Sequence, residues 1–362
     1  MYFGLSEEQQ LFQDSIAKYL DNNVTIDAVR EYANGENQKF ADDTHQGLIE
    51  LGINNLIIPE QYGGLGLDLL YATAVSQSLG AGVAPVPYVG AYVMAPLAII
   101  LAGSEDQKTK YLNAISSNEL HFGFGASEYI ASRENAGIVI DGNTASGRSL
   151  FVIDSHNASH FILTNVEGTI FIVSADDPNL EIVQLITIDK TSEISELILN
   201  NCKIEVLKES INNTSIIEKV VDAGRIMVAS DSLGASQTMI DKSVDYSKER
   251  KQFGRVIGSF QAVKHMCAEM TANIQPCYSM IWYAAHCQDN IPEESRLMAT
   301  HTKAHVSDVA SSIAKTSTEV HGGMGFTDDL GLHYWFKRIG LNRQLLGGVE
   351  INREEAAKVQ GF

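Results

Sequence analysis

Residues 246–261, YSKERKQFGRVIGSFQ, set Arg250 and Arg255 on either side of Phe253 and Gly254. Planar guanidinium groups meet phosphate oxygens through paired N–H donors, so a turn built this way suits a diphosphate. The positive charge is local. Between residues 241 and 255 five bases, Lys242, Lys248, Arg250, Lys251 and Arg255, stand against three acids. Taken alone, a solvated basic loop remains the simpler reading. Two glycine turns accompany this segment. In residues 320–326 the amides of Gly322 and Gly323 could approach a pyrophosphate closely, although a helix C-cap followed by a turn explains the glycines equally well. In residues 58–66 Pro59 fixes the entry to a turn carrying Gly63, Gly64 and Gly66, and no βαβ pattern surrounds it to make a dinucleotide fingerprint.

The elements that must position these turns follow from periodicity. Ser6 with Gln9 three residues on makes a capping box, and Phe12, Ile16 and Leu20 recur every four residues on one helical face. Helical character persists through residues 1–118. From 119 to 210 the pattern becomes short β-branched or alternating runs, such as residues 161–164, 169–173 and 194–199, separated by Gly, Asn and Asp, as expected of a small antiparallel β domain. Helical spacing returns over 211–362, where Phe260, Val263, Met266, Met270 and Ile274 form one apolar stripe expected to be buried. The fold class is therefore α+β, with an N-terminal helical domain, a middle β domain and a C-terminal helical bundle.

Composition removes several functions. A formal net charge of −19 over 362 residues argues against nucleic acid as the main partner. No charged residue occurs from Leu69 to Ser104, but Pro85, Pro87 and Pro96 interrupt that stretch, so two buried helices joined by a Pro/Gly turn are expected rather than a membrane span. The four cysteines, Cys202, Cys267, Cys277 and Cys287, form no CxxC pair, which points away from zinc or disulfides and towards a reduced cytoplasm.

In order and spacing the three turns resemble the acyl-CoA dehydrogenase family, with its PE-x-Y-GG-x-G turn, its R-x-QFG-x-x-I-x-x-FQ signature and its GG-x-GF turn. The resemblance runs from Leu5 to about Glu354. It implies FAD as cofactor, an acyl-CoA thioester as substrate and an electron-transfer flavoprotein as electron acceptor. It further implies that Arg250, Phe253 and Gln261 meet the flavin nucleotide, in the copy bound mainly by a neighbouring chain, with the Gly322 and Gly323 amides close by. Phe151 falls where the family packs an aromatic ring on the flavin, and Arg225 matches an arginine near the acyl-CoA site.

The chemistry this implies removes a proton beside the thioester and passes a hydride to the flavin, which calls for a carboxylate as general base. Here the sequence departs from the family. Leu346 occupies the usual position of the catalytic Glu, and Gly224 the alternative position just before Arg225. Glu350, one helical turn beyond Leu346, could reach the site, or could be a surface carboxylate in the first turn of the last helix. Asp222 and Asp328 are weaker candidates. The T-E-P-x-x-G-S-D segment is replaced around residues 125–130, Ile153 stands where a Thr bonds the flavin, and Glu319 stands where a Gln precedes the glycine turn. Together these departures resemble the small, base-lacking subunit of heteromeric acyl-CoA dehydrogenases such as those acting on steroid side chains, in which a paralogous subunit carries the working site of a heterotetramer. A homo-oligomer with a displaced base and a CoA-thioester binding protein without redox activity are the alternatives.

Overall fold

Ser6 and Gln9 do cap each other's backbone, and the first helix starts there. In the computed structural model, which describes residues 4–131 and 137–362, six helices precede the strands. They are α1 (Glu7–Asn23), α2 (Ile26–Ala33), α3 (Lys39–Glu50), α4 (Leu69–Gly82), α5 (Ala95–Ala102) and α6 (Glu105–Ser116). The charge-free stretch supplies α4 and α5, joined by the proline-containing segment and a π-helical turn at Val89–Met94. Among the described residues no helix is long and apolar enough to cross a membrane.

The middle strands are β1 (Phe122–Gly125), β2 (Gly137–Asp141), β3 (Thr144–Ile153), β4 (His160–Thr164), β5 (Ile170–Ser174), β6 (Leu180–Gln184) and β7 (Ile194–Val206), with a one-turn helix α7 (Ser127–Ile130) after β1. The order is β2-β3-β1-β4-β5-β7-β6, and an added β3–β7 pairing closes the central five strands into a ring. One pairing departs from the expected antiparallel pattern: β1 runs parallel to β4, because the β2–β3 hairpin lies between them and returns the chain to the end where β1 began. Alternation splits β4 between two cores. Phe161 and Leu163 fill the barrel, while Ile162 joins the helical core.

The C-terminal part comprises α8 (Thr214–Glu249), a hairpin of β8 (Lys251–Gln252) and β9 (Arg255–Val256), α9 (Gln261–Asn290), α10 (Pro292–His321), α11 (Leu332–Gln344) and α12 (Val349–Val359). Helices α4 and α8 touch backbone to backbone: a Cβ on Gly80 would lie 1.9 Å from the Asp231 carbonyl oxygen, and one on Gly234 1.8 Å from that of Gln77. The stripe on α9 is buried only from Met270 onward, with Phe260, Val263 and Met266 half-covered. The first turns of α9 emerge beside the hairpin, where the described chain covers their apolar stripe only in part.

Candidate active site

A cleft of about 520 Å³ opens between the β1–α7 and β3 segments on one side and the α11–α12 turn on the other. Its lining includes Phe151, Ile153, Ile188, Leu345, Leu346 and Ile351, and holds no Lys, Arg or His among the described residues. A register shift between Ser149 and Val152, where β3 pairs with β7, turns Phe151 towards the cleft with a φ of 53° and 46% of its surface exposed. Ile153 lies deeper and offers only carbon.

Both positions where the resemblance puts a carboxylate converge on one point. A Cβ added to Gly224 would lie 2.5 Å from Met94 Sδ and 2.7 Å from Leu346 Cδ1. Leu346 and the buried Met94 therefore occupy the space that a side chain from α8 would need.

Leu346 holds a left-handed φ of 58°, which a branched residue adopts only when its surroundings enforce it. Several buried donors do so. Arg225 Nε donates to the Leu346 carbonyl at 3.0 Å, and Asn352 Nδ2 to those of Gly347 and Gly348 at 2.8 and 2.9 Å. Lys303 Nζ donates to the Asn342 and Arg343 carbonyls at 2.6 and 3.2 Å, closing the C-terminus of α11. Burial, with Arg225 and Arg343 nearby, pushes the Lys303 amine down to about 7.

Arg225 is fully buried rather than solvated, and it pairs with Asp222 at 3.0 Å and Glu355 at 2.6 Å. Arg296 joins the same two carboxylates. Burial lifts the Asp222 carboxyl to about 6 against the pull of both guanidinium groups. For Glu355 burial is the largest single influence and acts upward, but the hydrogen bond from Arg225 and the charges of Arg225, Arg296 and Lys358 together outweigh it, and the net shift is downward. Asp222 is thus committed to a structural network, and Asp328 likewise bonds Arg30 and His333 at the surface. The Glu350 side chain is 82% exposed, 3.8 Å from Arg343, and does not line the cleft.

The remaining sequence candidates gather at the other end of α8. Phe253 and Gly254, with φ of 53° and 76°, form the two-residue turn of the β8–β9 hairpin, the conformation that matches strand twist. Phe253 is 93% exposed. Arg255 stacks on Phe260 at 4.0 Å, and among the described residues neither Arg250 nor Arg255 forms an ion pair. Gln261 begins α9 with its side chain exposed. Tyr246 near the end of α8 packs on His321 at the end of α10, ring centroids 4.6 Å apart, which brings the Gly322–Gly323 turn to the same end of the bundle. Around both glycines a Cβ would meet nothing within 4 Å, so their backbone is open to a ligand.

Arg225 and Arg250 stand 25 positions apart, the helix α8 running between them, or about 38 Å at 1.5 Å per residue. One dinucleotide cannot touch both groups within a single chain. The apolar slot with its exposed aromatic suits a flavin ring, and the open glycine turn with unpaired guanidinium groups suits a diphosphate. Ile153 in the slot and Glu319 beside the turn fit less well. Met94, Lys303 and Asn352 were not foreseen from sequence. The one available signal was Lys303 in the run Thr300, Thr302, Ser307, a lone cation among small residues that are themselves buried.

The fold and the slot are those of a flavin-dependent oxidoreductase. Family models for the acyl-CoA dehydrogenase N-terminal domain and C-terminal domain match residues 6–119 and 214–360, and the chain belongs to the acyl-CoA dehydrogenase family, whose cofactor is FAD. A probable acyl-CoA dehydrogenase of Bacillus subtilis, YngJ, is 27% identical over 98% of each chain. Among solved structures, the ChsE4-ChsE5 complex from Mycobacterium tuberculosis superposes with a TM-score of 0.89 at 23% identity, covering 100% of this chain and 99% of that one. Butyryl-CoA dehydrogenase from Megasphaera elsdenii gives 0.89 at 22% identity, covering all of both chains.

Proposed function

We propose that this chain is the base-lacking subunit of a heteromeric acyl-CoA dehydrogenase and completes the FAD site of a paralogous partner. The observation that carries this reading is the meeting of Gly224, Met94 and Leu346 at one point, so that neither position where the resemblance puts a carboxylate carries one; the one carboxylate among the cleft's described lining residues is the buried Glu128 on α7. The exposure of Glu350 supports it, since a solvated carboxylate outside the cleft cannot sit within hydrogen-bond reach of a bound thioester. The likeness to the ChsE4-ChsE5 complex supports the heteromeric arrangement.

When bound, FAD supplies the acceptor for the hydride leaving the acyl chain. This chain's contribution is to hold the nucleotide of the partner's site. Arg250 donates to its phosphate oxygens, Phe253 and Gln261 cover it, and the Gly322 and Gly323 amides approach the pyrophosphate. The general base comes from the partner. Arg225, in this reading, orients the Leu346 turn and does not meet the substrate. An acyl-CoA thioester, with a steroid side chain as one candidate acyl group, and an electron-transfer flavoprotein complete the expected partners, in a cytoplasmic heterotetramer.

Co-expression with a paralogous chain that carries the family carboxylate, followed by flavin and protein quantification, tests this. The expected ratio is one FAD per two chains. A homo-oligomer of this chain alone that carries one FAD per chain, bleached by acyl-CoA, would refute it.

A further inference from the structure

Behind the cleft lies a second, smaller cavity of about 80 Å³, between α4, the proline segment at residues 85–89, α8 and α11. Ile153 and Leu345 line both spaces and so stand between them. Most of the charged groups around the inner cavity are already engaged within the fold, with His156 also in the lining. Arg338 holds Asp231 at 2.7 Å, the Tyr32 hydroxyl donates to Glu193 at 2.9 Å, and Asp154 Oδ2 accepts the amides of Tyr88, Gly90 and Ala91. Leu79, Val86 and Val228 give the inner cavity an aliphatic surface for an occupant. The outer cleft has a volume typical of small-molecule sites and no basic side chain among its described lining residues, so it favours an uncharged apolar group over an anion.

We propose that Ile153 and Leu345 form the back wall that fixes how long an uncharged alkyl chain this cleft accepts. The inference rests on the reading that the chain holds no flavin of its own, which leaves the slot free. At ~30 Å³ for a group the size of a water molecule, the space behind the wall corresponds to two or three further carbons. Removing the wall therefore lengthens the accepted chain by that amount, and a bulkier wall shortens it.

The test is isothermal titration of the full-length chain with straight-chain 1-alkanols from hexanol to tetradecanol, on preparations whose flavin content is measured by absorbance. Affinity of the flavin-free wild type should rise about fourfold per methylene and then level off at a limiting length. In Leu345→Ala and Ile153→Ala the rise should continue for two or three more carbons, and in Leu345→Phe it should stop earlier. The Phe variant keeps the test decisive should either Ala variant fold poorly. Flavin-free protein that binds no alkanol, or whose limiting length is the same in every folded variant, overturns the back wall and leaves the proposed function intact. Protein that arrives with one flavin per chain overturns both.

Discussion

The two ends of α8 are built to opposite rules. Around Arg225 the charges are buried or half-buried and answered within the chain: two guanidinium groups face two carboxylates, and Lys303 and Asn352 close the carbonyls of the neighbouring turn. Around Arg250 the side chains stand in solvent, an aromatic ring occupies the tip of a two-residue turn, and the adjacent glycine backbone faces open space. Networks satisfied internally serve position and rigidity, whereas an exposed ring beside unpaired guanidinium groups is a surface with unused contacts to offer a ligand. The first end is finished by this chain; the second is the end that, in the proposed function, a partner's nucleotide covers.

The largest effect expected from breaking this contrast is at the finished end. Arg225→Met should lower stability by about 3–5 kcal/mol, because it leaves the buried Asp222 and the half-buried Glu355 beside one remaining cation; the urea midpoint measures it. A loss under about 1 kcal/mol would mean that the network is not what holds the turn.

Lys303 sharpens the same point through pH. Its folded-state value near 7 lies below the ordinary 10.5, so between those limits the unfolded chain carries a proton that the folded chain has released. Stability should then rise with pH across that window, by up to about 1.4 kcal/mol per unit, and the slope should flatten in Lys303→Met. Thermal unfolding at a series of pH values decides it, and equal slopes in both proteins would show Lys303 to be charged when folded.

At the unfinished end the sign of the result changes. Arg250→Ala should leave the stability of the isolated chain within about 0.5 kcal/mol while weakening FAD retention in the assembled pair tenfold to hundredfold, or about 1.5–3 kcal/mol for a lost bond to a charged group. Unchanged retention would place the nucleotide elsewhere. The smallest effect is expected for Gly224→Ala, about 1–2 kcal/mol of overpacking against Met94 and Leu346, read from the same urea curves.

Much of this architecture is written in local patterns. The Ser6–Gln9 box, the proline interruption between α4 and α5, and the alternation of β4 and β5 each depend on a few neighbouring residues, and the structure follows them. The positive φ values at Phe253 and Gly254 likewise follow from a hairpin with a two-residue turn. The identity of the second carboxylate-bearing position as Gly224 was legible too. That Gly224, Leu346 and Met94 crowd one point was not, because it depends on how the π-helical turn at Val89–Met94, α8 and the α11–α12 turn meet across more than a hundred residues of chain. Nor could spacing reveal that Arg225 is buried. A helical arginine reads the same in sequence whether it faces water or two carboxylates brought from α8 and α12.

Whether this chain alone can remove a proton from carbon decides between an empty and a working base position. Octanoyl-CoA incubated in D₂O with the purified chain and excess FAD should keep its hydrogens at the carbon beside the thioester, while the assembled pair exchanges them. Exchange by the chain alone, lost on Glu350→Gln or on substitution of any other of its own carboxylates, would contradict the claim that its base position is empty.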